Sequence, residues 1–216
     1  MMKHLLIIGA RGYGRGLYDI VRDLPGYGEE FDVKGYLDDK VDALCGYDNY
    51  PPIVSSVENY IVEVDDVFAC ALGDVNYKKH YVELIKAKGG HFMTIVHPST
   101  HMGGNVKLGE GCIIGYKNQI DCDVTIGDFV NIQTMAIVGH DSIIGDWCMV
   151  DCQTFMGGFS FLGSAVTLHT GSKILPKVLV GENAVVNAGS IVVHTVKPNS
   201  VVMGNPAREM ITPKIK

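Results

Sequence analysis

The chain reads as two architectures in succession: an α/β unit with a parallel sheet over residues 1–95, then a parallel β-solenoid over residues 96–216. Three observations predict this. A six-residue frame runs unbroken through the second half, strand-like and helix-like segments alternate in the first, and the composition suffices to fill a core. With 216 residues, 47% of them hydrophobic, the chain suits two small domains and is not disordered.

The frame is found by stepping six residues from Val106: Cys112, Asn118, Val124, Val130, Ala136, Ser142, Cys148 and onward to Val196, nearly all small or β-branched. Two positions further along, Leu108, Ile114, Ile120, Ile126, Ile132, Val138 and their successors to Val192 are aliphatic or Met. Glycine often follows (Gly109, Gly115, Gly127, Gly139, Gly145, Gly157, Gly163, Gly181), where it is expected to relieve strain at a turn. Six residues hold a short strand and a turn, and one such unit cannot bury its apolar side alone. Three make a triangular coil of eighteen residues, whose strands pair in parallel about 4.8 Å above those of the last coil. Extended back to Thr94 and Val96, the frame gives between five and six coils. A β-sandwich would show irregular spacing and period-2 alternation instead.

In the first half, Leu5–Ile8 reads as a buried strand, followed by the glycine loop Gly9-Ala10-Arg11-Gly12-Tyr13-Gly14 and a helix to about Leu24. Val33–Leu37 is a second strand ending in Asp38-Asp39, and Ser55 and Ser56 suit the start of a short helix. Val67–Leu72 is a third strand before Gly73-Asp74, Asn76–Lys88 an amphipathic helix, and Phe92–Val96 a fourth strand. Such alternation gives a parallel sheet with helices on its faces. The loop spacing is G-x-x-G-x-G rather than the dinucleotide fingerprint. It suits a phosphate held by backbone N–H groups at a helix N-terminus, with Asp38 or Asp39 accepting sugar hydroxyls. A tight strand-to-helix turn beside a solvated acidic loop is the alternative. At this length the unit is half of a doubly wound fold, so a nucleoside diphosphate fits better than NAD.

Composition narrows the function classes. A formal charge of −6, from 18 Lys+Arg against 24 Asp+Glu, disfavours nucleic-acid and anionic-membrane binding. The run Leu5–Ile8 is too short for a membrane span or a signal peptide. The six cysteines include no C-x-x-C pair and read as reduced core residues of a cytoplasmic protein. Standard zinc and serine-hydrolase motifs are missing, so no metal is expected, and histidine becomes the leading general base. Among the eight, His140 falls at a turn, with Cys122 and Gly158 one coil before and after, and with Asp141 adjacent to orient it. A solvated turn histidine is the plainer alternative. His169 is the rival, but Gln133, Asp151, His169 and Asn187 stack as an external polar ladder. Ile143, Phe161 and Leu179 form an outward apolar stripe, which suits a homotrimer of prisms. The chain's own C-terminal segment is the other possible cover.

Together the hexapeptide frame, the tail Val201-Val202-Met203-Gly204-Asn205-Pro206-Ala207 and the Gly9–Gly14 loop resemble the acetyl-CoA-dependent sugar acyltransferases. Leu37-Asp38-Asp39 and Ala71-Leu72-Gly73-Asp74 narrow the resemblance to N-acetyltransferases of nucleotide-linked amino-sugars and sialic acid O-acetyltransferase-like proteins. The resemblance implies a Rossmann-like nucleotide-sugar-binding domain followed by a left-handed parallel β-helix, a trimer, and acetyl-CoA lying between adjacent prisms. It implies His140 as catalytic base with Asp141 as its acid, and Arg11, Gly12, Tyr13, Asp38, Asp39 and Gly73 as substrate contacts. Gly158, Met149, Thr170 and Ala188 fall on the cofactor wall, and the setting is surface polysaccharide biosynthesis. Met149 stands where relatives can have a second histidine, and Gln133 where an asparagine can help place the sugar. The acceptor therefore stays open between an amino-sugar, a sugar hydroxyl as in O-acetylation, and none at all if the chain is a binding scaffold. A metal-dependent hydratase would need a histidine triad, for which the sequence offers only scattered candidates.

Overall fold

The computed structural model describes residues 2–210, and these divide into two compact units at the Pro98–Ser99 junction. The sequence reading put the boundary after residue 95; residues 211–216, which it assigned to the second domain, lie outside the described range.

In the first unit, β1 (Lys3–Ile8), β2 (Phe31–Leu37), β3 (Ile53–Ser55) and β4 (Asp66–Cys70) form a parallel sheet in the order β3-β2-β1-β4. Helix α1 (Gly12–Arg22) follows β1, and α2 (Val75–Ala87) follows β4. The chain reverses direction across the sheet between β1 and β4, the switch point beside which such folds leave a crevice. Leu5, Leu6, Ile7, Tyr36, Leu37 and Phe68 are fully buried and make the core. Two expectations need correction. Ser55 ends edge strand β3, and Ser56 accepts a hydrogen bond from the Asn59 N–H at 3.2 Å to close a turn, so no helix starts there. Phe92 joins β4 through an isolated bridge to Phe68 rather than as part of a strand, with Ile95–Val96 a separate two-residue strand. In both segments the stretch is too short for its local preference to set the structure.

The second unit is a left-handed parallel β-helix. Two-residue strands pair with those eighteen residues away: Lys107 with Thr125, Thr125 with Ile143, Ile143 with Phe161, and Phe161 with Leu179. One face carries five strands in this way and another six. The interior follows the frame, with Cys112, Val130, Ala136, Cys148 and Val166 at small positions and Ile114, Ile132, Val150, Leu168 and Val186 at large ones, all at most 1% exposed. The chain closes on a hairpin of Val201–Gly204 and Ala207–Glu209.

The frame glycines do a different job from the one expected of them. Positive φ falls on the residue before nearly every small position: Asn105, Lys117, Asp123, Met135, Asp141, Gln153, Phe159 and other non-glycine residues at 52–65°, with glycine at Gly111, Gly171 and Gly189. Most are not glycine, although this conformation costs a side chain about 1–2 kcal/mol. The backbone offsets that cost. Most such N–H groups bond to a carbonyl of the preceding coil, as Met135 does to Tyr116 at 3.0 Å and Phe159 to His140 at 2.9 Å, while that of Lys117 bonds to the Ser99 hydroxyl at 2.9 Å. Strand N–H groups bond to the following coil, as Ile113 does to Val130 at 3.0 Å. Glycine at the other position makes room instead. A Cβ on Gly145 would stand 2.8 Å from the Gly163 carbonyl carbon, and one on Gly139 would stand 2.6 Å from the Gly158 nitrogen.

The cysteine expectation holds in part. All six are free thiols, but only Cys70, Cys112 and Cys148 are buried, while Cys45 and Cys122 are exposed. Cys45 sits in a turn-rich loop and Cys122 at a prism corner.

This geometry predicts opposite effects at two turn positions. Gly145→Ala should cost about 1–3 kcal/mol, the usual price of overpacking. Lys177→Gly, at φ 64°, should be neutral or gain up to about 1 kcal/mol. Chemical unfolding of the two variants measures both.

Candidate functional site

His140 lies on a corner of the prism with its side chain 51% exposed. Its Nδ1 sits 2.7 Å from Oδ2 of Asp141, itself 42% exposed. The left-handed backbone of Asp141, φ 56°, allows this contact by turning a sequence neighbour's carboxylate back alongside the ring. Because the carboxylate accepts, Nδ1 carries the proton and Nε2 keeps a lone pair, a tautomer assigned from the bonding pattern.

The residue eighteen positions on is Gly158, and the ring lies across it. A Cβ there would fall 2.8 Å from Nε2 and 2.9 Å from Cε1, so any side chain would displace the imidazole. Phe159 meets the ring edge-on, with centroids 5.2 Å apart at 86°. Above, the Asp141 N–H bonds to the Cys122 carbonyl at 3.2 Å. The Cys122 thiol is held above its usual pKa, chiefly by its hydrogen bond to Asp123, with Asp141 adding repulsion. It is therefore a poor nucleophile near neutrality.

His169 is placed differently. Its Nδ1 is 2.9 Å from Oδ2 of Asp151, whose Oδ1 accepts from Gln133 Nε2 at 3.2 Å, and Gln133 Oε1 accepts from Cys152 at 3.3 Å. This is the expected ladder across three coils. Asn187 departs from it, its amide donating to Met210 Sδ at 3.2 Å. Of the four residues expected on the cofactor wall, Gly158 alone shares the corner of His140. Thr170 and Ala188 lie on the corner of His169, and Met149 sits on a third face, 6% exposed. Among the described residues, nothing covers the outer stripe: Ile143, Phe161 and Leu179 are 46%, 39% and 48% exposed.

In the first unit, a pocket of about 410 Å³ opens at the carboxyl ends of β1, β2 and β4. Arg11, Asp38, Asp39 and Gly73 line it, together with Lys40, Asp74, Tyr77 and Tyr81, which the sequence reading did not single out. Gly12 lines an adjoining hollow, and Tyr13 lies in the first turn of α1. The acidic pair divides its work. Asp38 ties the loops together, accepting from the Ala10 N–H at 2.8 Å and the Lys40 N–H at 2.9 Å. Asp39 accepts from the Tyr81 hydroxyl at 2.7 Å, and that bond, with burial second, raises the phenol's pKa.

The loop glycines also divide. Gly9 has φ 95°, and a Cβ on Gly14 would stand 1.8 Å from the Gly9 carbonyl oxygen, so both serve the turn itself. Gly12 meets nothing within 4 Å and its φ is ordinary. No side chain caps α1, whose N-cap position is Arg11, whereas Asp74 caps α2 by accepting from the N–H groups of Asn76 and Tyr77.

Comparison with known proteins finds likenesses along the chain. Residues 4–85 match the family described as the PglD N-terminal domain. UDP-N-acetylbacillosamine N-acetyltransferase of Bacillus subtilis is 27% identical over 117 residues, covering 52% of this chain and 51% of the relative. The chain spans about half the length, or less, of the curated relatives it matches first. Among solved structures, the acetyltransferase domain of PglB from Neisseria gonorrhoeae, in complex with acetyl coenzyme A, superposes with a TM-score of 0.87 at 23% identity, covering 97% of this chain and 100% of that one. PerB from Caulobacter crescentus, in complex with CoA and GDP-perosamine, gives 0.86 at 24%, covering 97% and 98%. At these identities the likeness is one of fold.

The loop geometry separates two substitutions. Gly14→Ala should destabilise the protein by about 1–3 kcal/mol or more, because backbone rather than a flexible side chain blocks the new methyl. Gly12→Ala should leave urea-unfolding midpoints unchanged or slightly raised.

Proposed function

We propose, from the premise that this chain belongs to the hexapeptide-repeat sugar acyltransferases with a PglD-type N-terminal domain, that it moves an acetyl group from acetyl-CoA to the amine of a nucleotide-linked amino-sugar. The nucleotide is held in the first unit and the amine is deprotonated by His140. One observation carries the reading: Asp141 engages Nδ1, and Nε2 is left open across a residue with no side chain.

The reaction is direct. The amine nitrogen attacks the thioester carbonyl while its proton passes to Nε2. Asp141 steadies the resulting imidazolium. The tetrahedral intermediate collapses, the C–S bond breaks, and the proton returns to the departing CoA thiolate. The Gly158 N–H binds the developing oxyanion, since those of Gly157 and Phe159 already bond to the Ile174 and His140 carbonyls. The protonated state of Cys122 favours this route over a thioester on the enzyme.

In the first unit, Asp39 receives a ribose or sugar hydroxyl beside Tyr81. Arg11, Gly12 and Tyr13 take the phosphates at the uncapped end of α1, and Gly73 lets the ligand lie close to the β4 loop. Acetyl-CoA runs along a groove between two copies of the chain, where Gly158, Thr170, Ala188 and Met149 supply its wall. The stripe of Ile143, Phe161 and Leu179 supports a trimer, since an apolar run of this kind is usually covered.

Thiol release from acetyl-CoA, measured against panels of nucleotide-amino-sugars and of hydroxyl acceptors, tests the activity. Turnover with an amino-sugar is the expected result; turnover with hydroxyl acceptors alone would reassign the acceptor, and none would refute the reading. His140→Ala should lower turnover by about 10²–10⁴ with little change in nucleotide-sugar affinity.

For the assembly, sedimentation should report three copies of the 23.4 kDa chain. Phe161→Glu should shift that population to smaller species and abolish turnover, because the donor groove needs two copies.

A further inference from the structure

Beside the pocket at the strand ends lies a second hollow of about 440 Å³, lined by Arg11, Gly12, Arg15, Lys40, Asp42 and Tyr47, with Ala43 and Cys45 completing its wall. The two differ in character. The first is walled by Asp38, Asp39, Asp74, Tyr77 and Tyr81, the second by three cations against one carboxylate. Arg11 and Lys40 line both. Lys40 is part-neutralised by Asp42 at 3.8 Å, but neither guanidinium has a carboxylate within ion-pair distance among the described residues.

Arg15 is nevertheless fixed. Its guanidinium carbon sits 3.6 Å from the Tyr47 ring centroid and 6.0 Å from that of Tyr50, which in turn packs edge-on against Tyr18 of α1. The loop supplying these rings is wound by successive bonds from Ala43 to Lys40, Cys45 to Asp42 and Tyr47 to Leu44. Stacking uses the face of a guanidinium and leaves its edge donors pointing outward, the arrangement that takes a phosphate bidentately. A Cβ on Gly12 would meet nothing within 4 Å, so the backbone lining the same hollow is open to an approaching anion.

We propose that Arg15, clamped on Tyr47, is a phosphate-binding residue of this protein, and that it makes the second hollow a diphosphate subsite while the acidic pocket takes the nucleoside. Arg11 and Lys40 sit at the boundary between the two halves of the ligand. The proposal rests on the nucleotide-binding reading above and adds residues that neither the glycine loop nor the acidic pair contains.

Calorimetry on the full chain tests it, using UDP, GDP and dTDP, their nucleosides, and inorganic pyrophosphate as probes. Arg15→Gln should weaken the preferred diphosphate and pyrophosphate by about 10–100-fold, while the matching nucleoside changes less than about twofold. Tyr47→Leu should weaken the diphosphate by about tenfold, and Tyr47→Phe, which keeps the ring, should bind as the parent does. Unchanged diphosphate binding in Arg15→Gln would overturn the proposal and leave the nucleotide reading standing. Equal losses for nucleoside and diphosphate would also overturn it, since they indicate a folding role for the clamp. If no diphosphate binds the parent protein, the nucleotide reading itself fails and takes the proposal with it.

Discussion

The constraint on which the β-helix depends is the eighteen-residue backbone register. A strand N–H reaches the next coil, and a left-handed corner residue reaches back to the previous one, so each coil is bonded on both sides. Parallel two-residue strands would be far too short to hold by themselves. Because the ladder fixes neighbouring coils in contact, side chains at some corner positions have nowhere to go, and glycine stands there. The same register decides what each side chain sees: the residues eighteen before and after it, whatever their distance in sequence.

The corner of His140 is a local product of that rule. Its ring needs the space that a side chain on the next coil would occupy, and Gly158 leaves it free. Its carboxylate partner is the next residue in sequence, brought alongside by the left-handed backbone that the ladder imposes. His169 shows the contrast. Its carboxylate comes from the coil before, and that carboxylate is already shared with Gln133. Two histidines with the same kind of carboxylate contact thus differ in setting: one in a polar column, the other at an open corner.

The first unit follows a parallel logic around one loop. Gly9 and Gly14 permit the strand-to-helix turn, Asp38 straps that turn to the end of β2, and Gly12 is the glycine that packing does not require. The start of α1 is open on that side, since a Cβ on Gly12 would meet nothing within 4 Å. The surrounding charge is sorted accordingly, acids and phenols toward the sheet crevice, and guanidinium groups over the start of the helix.

The periodicity of small and large apolar residues was enough to determine the coil length, the inward positions and the stacking of His140 on Gly158, because a repeating interior forces a repeating sequence. Strand–helix alternation likewise determined β1, β2, β4 and both helices. Three things were decided by tertiary structure. The left-handed turns fell mostly on residues such as Asn, Asp, Lys, Phe and Met, with glycine at three of them, since backbone bonds between coils outweigh local preference. Ile53–Ser55 became a strand by pairing with β2 despite its length. Arg15 met Tyr47 because a loop folded across α1, and a contact between residues 32 apart leaves no period for a sequence to display.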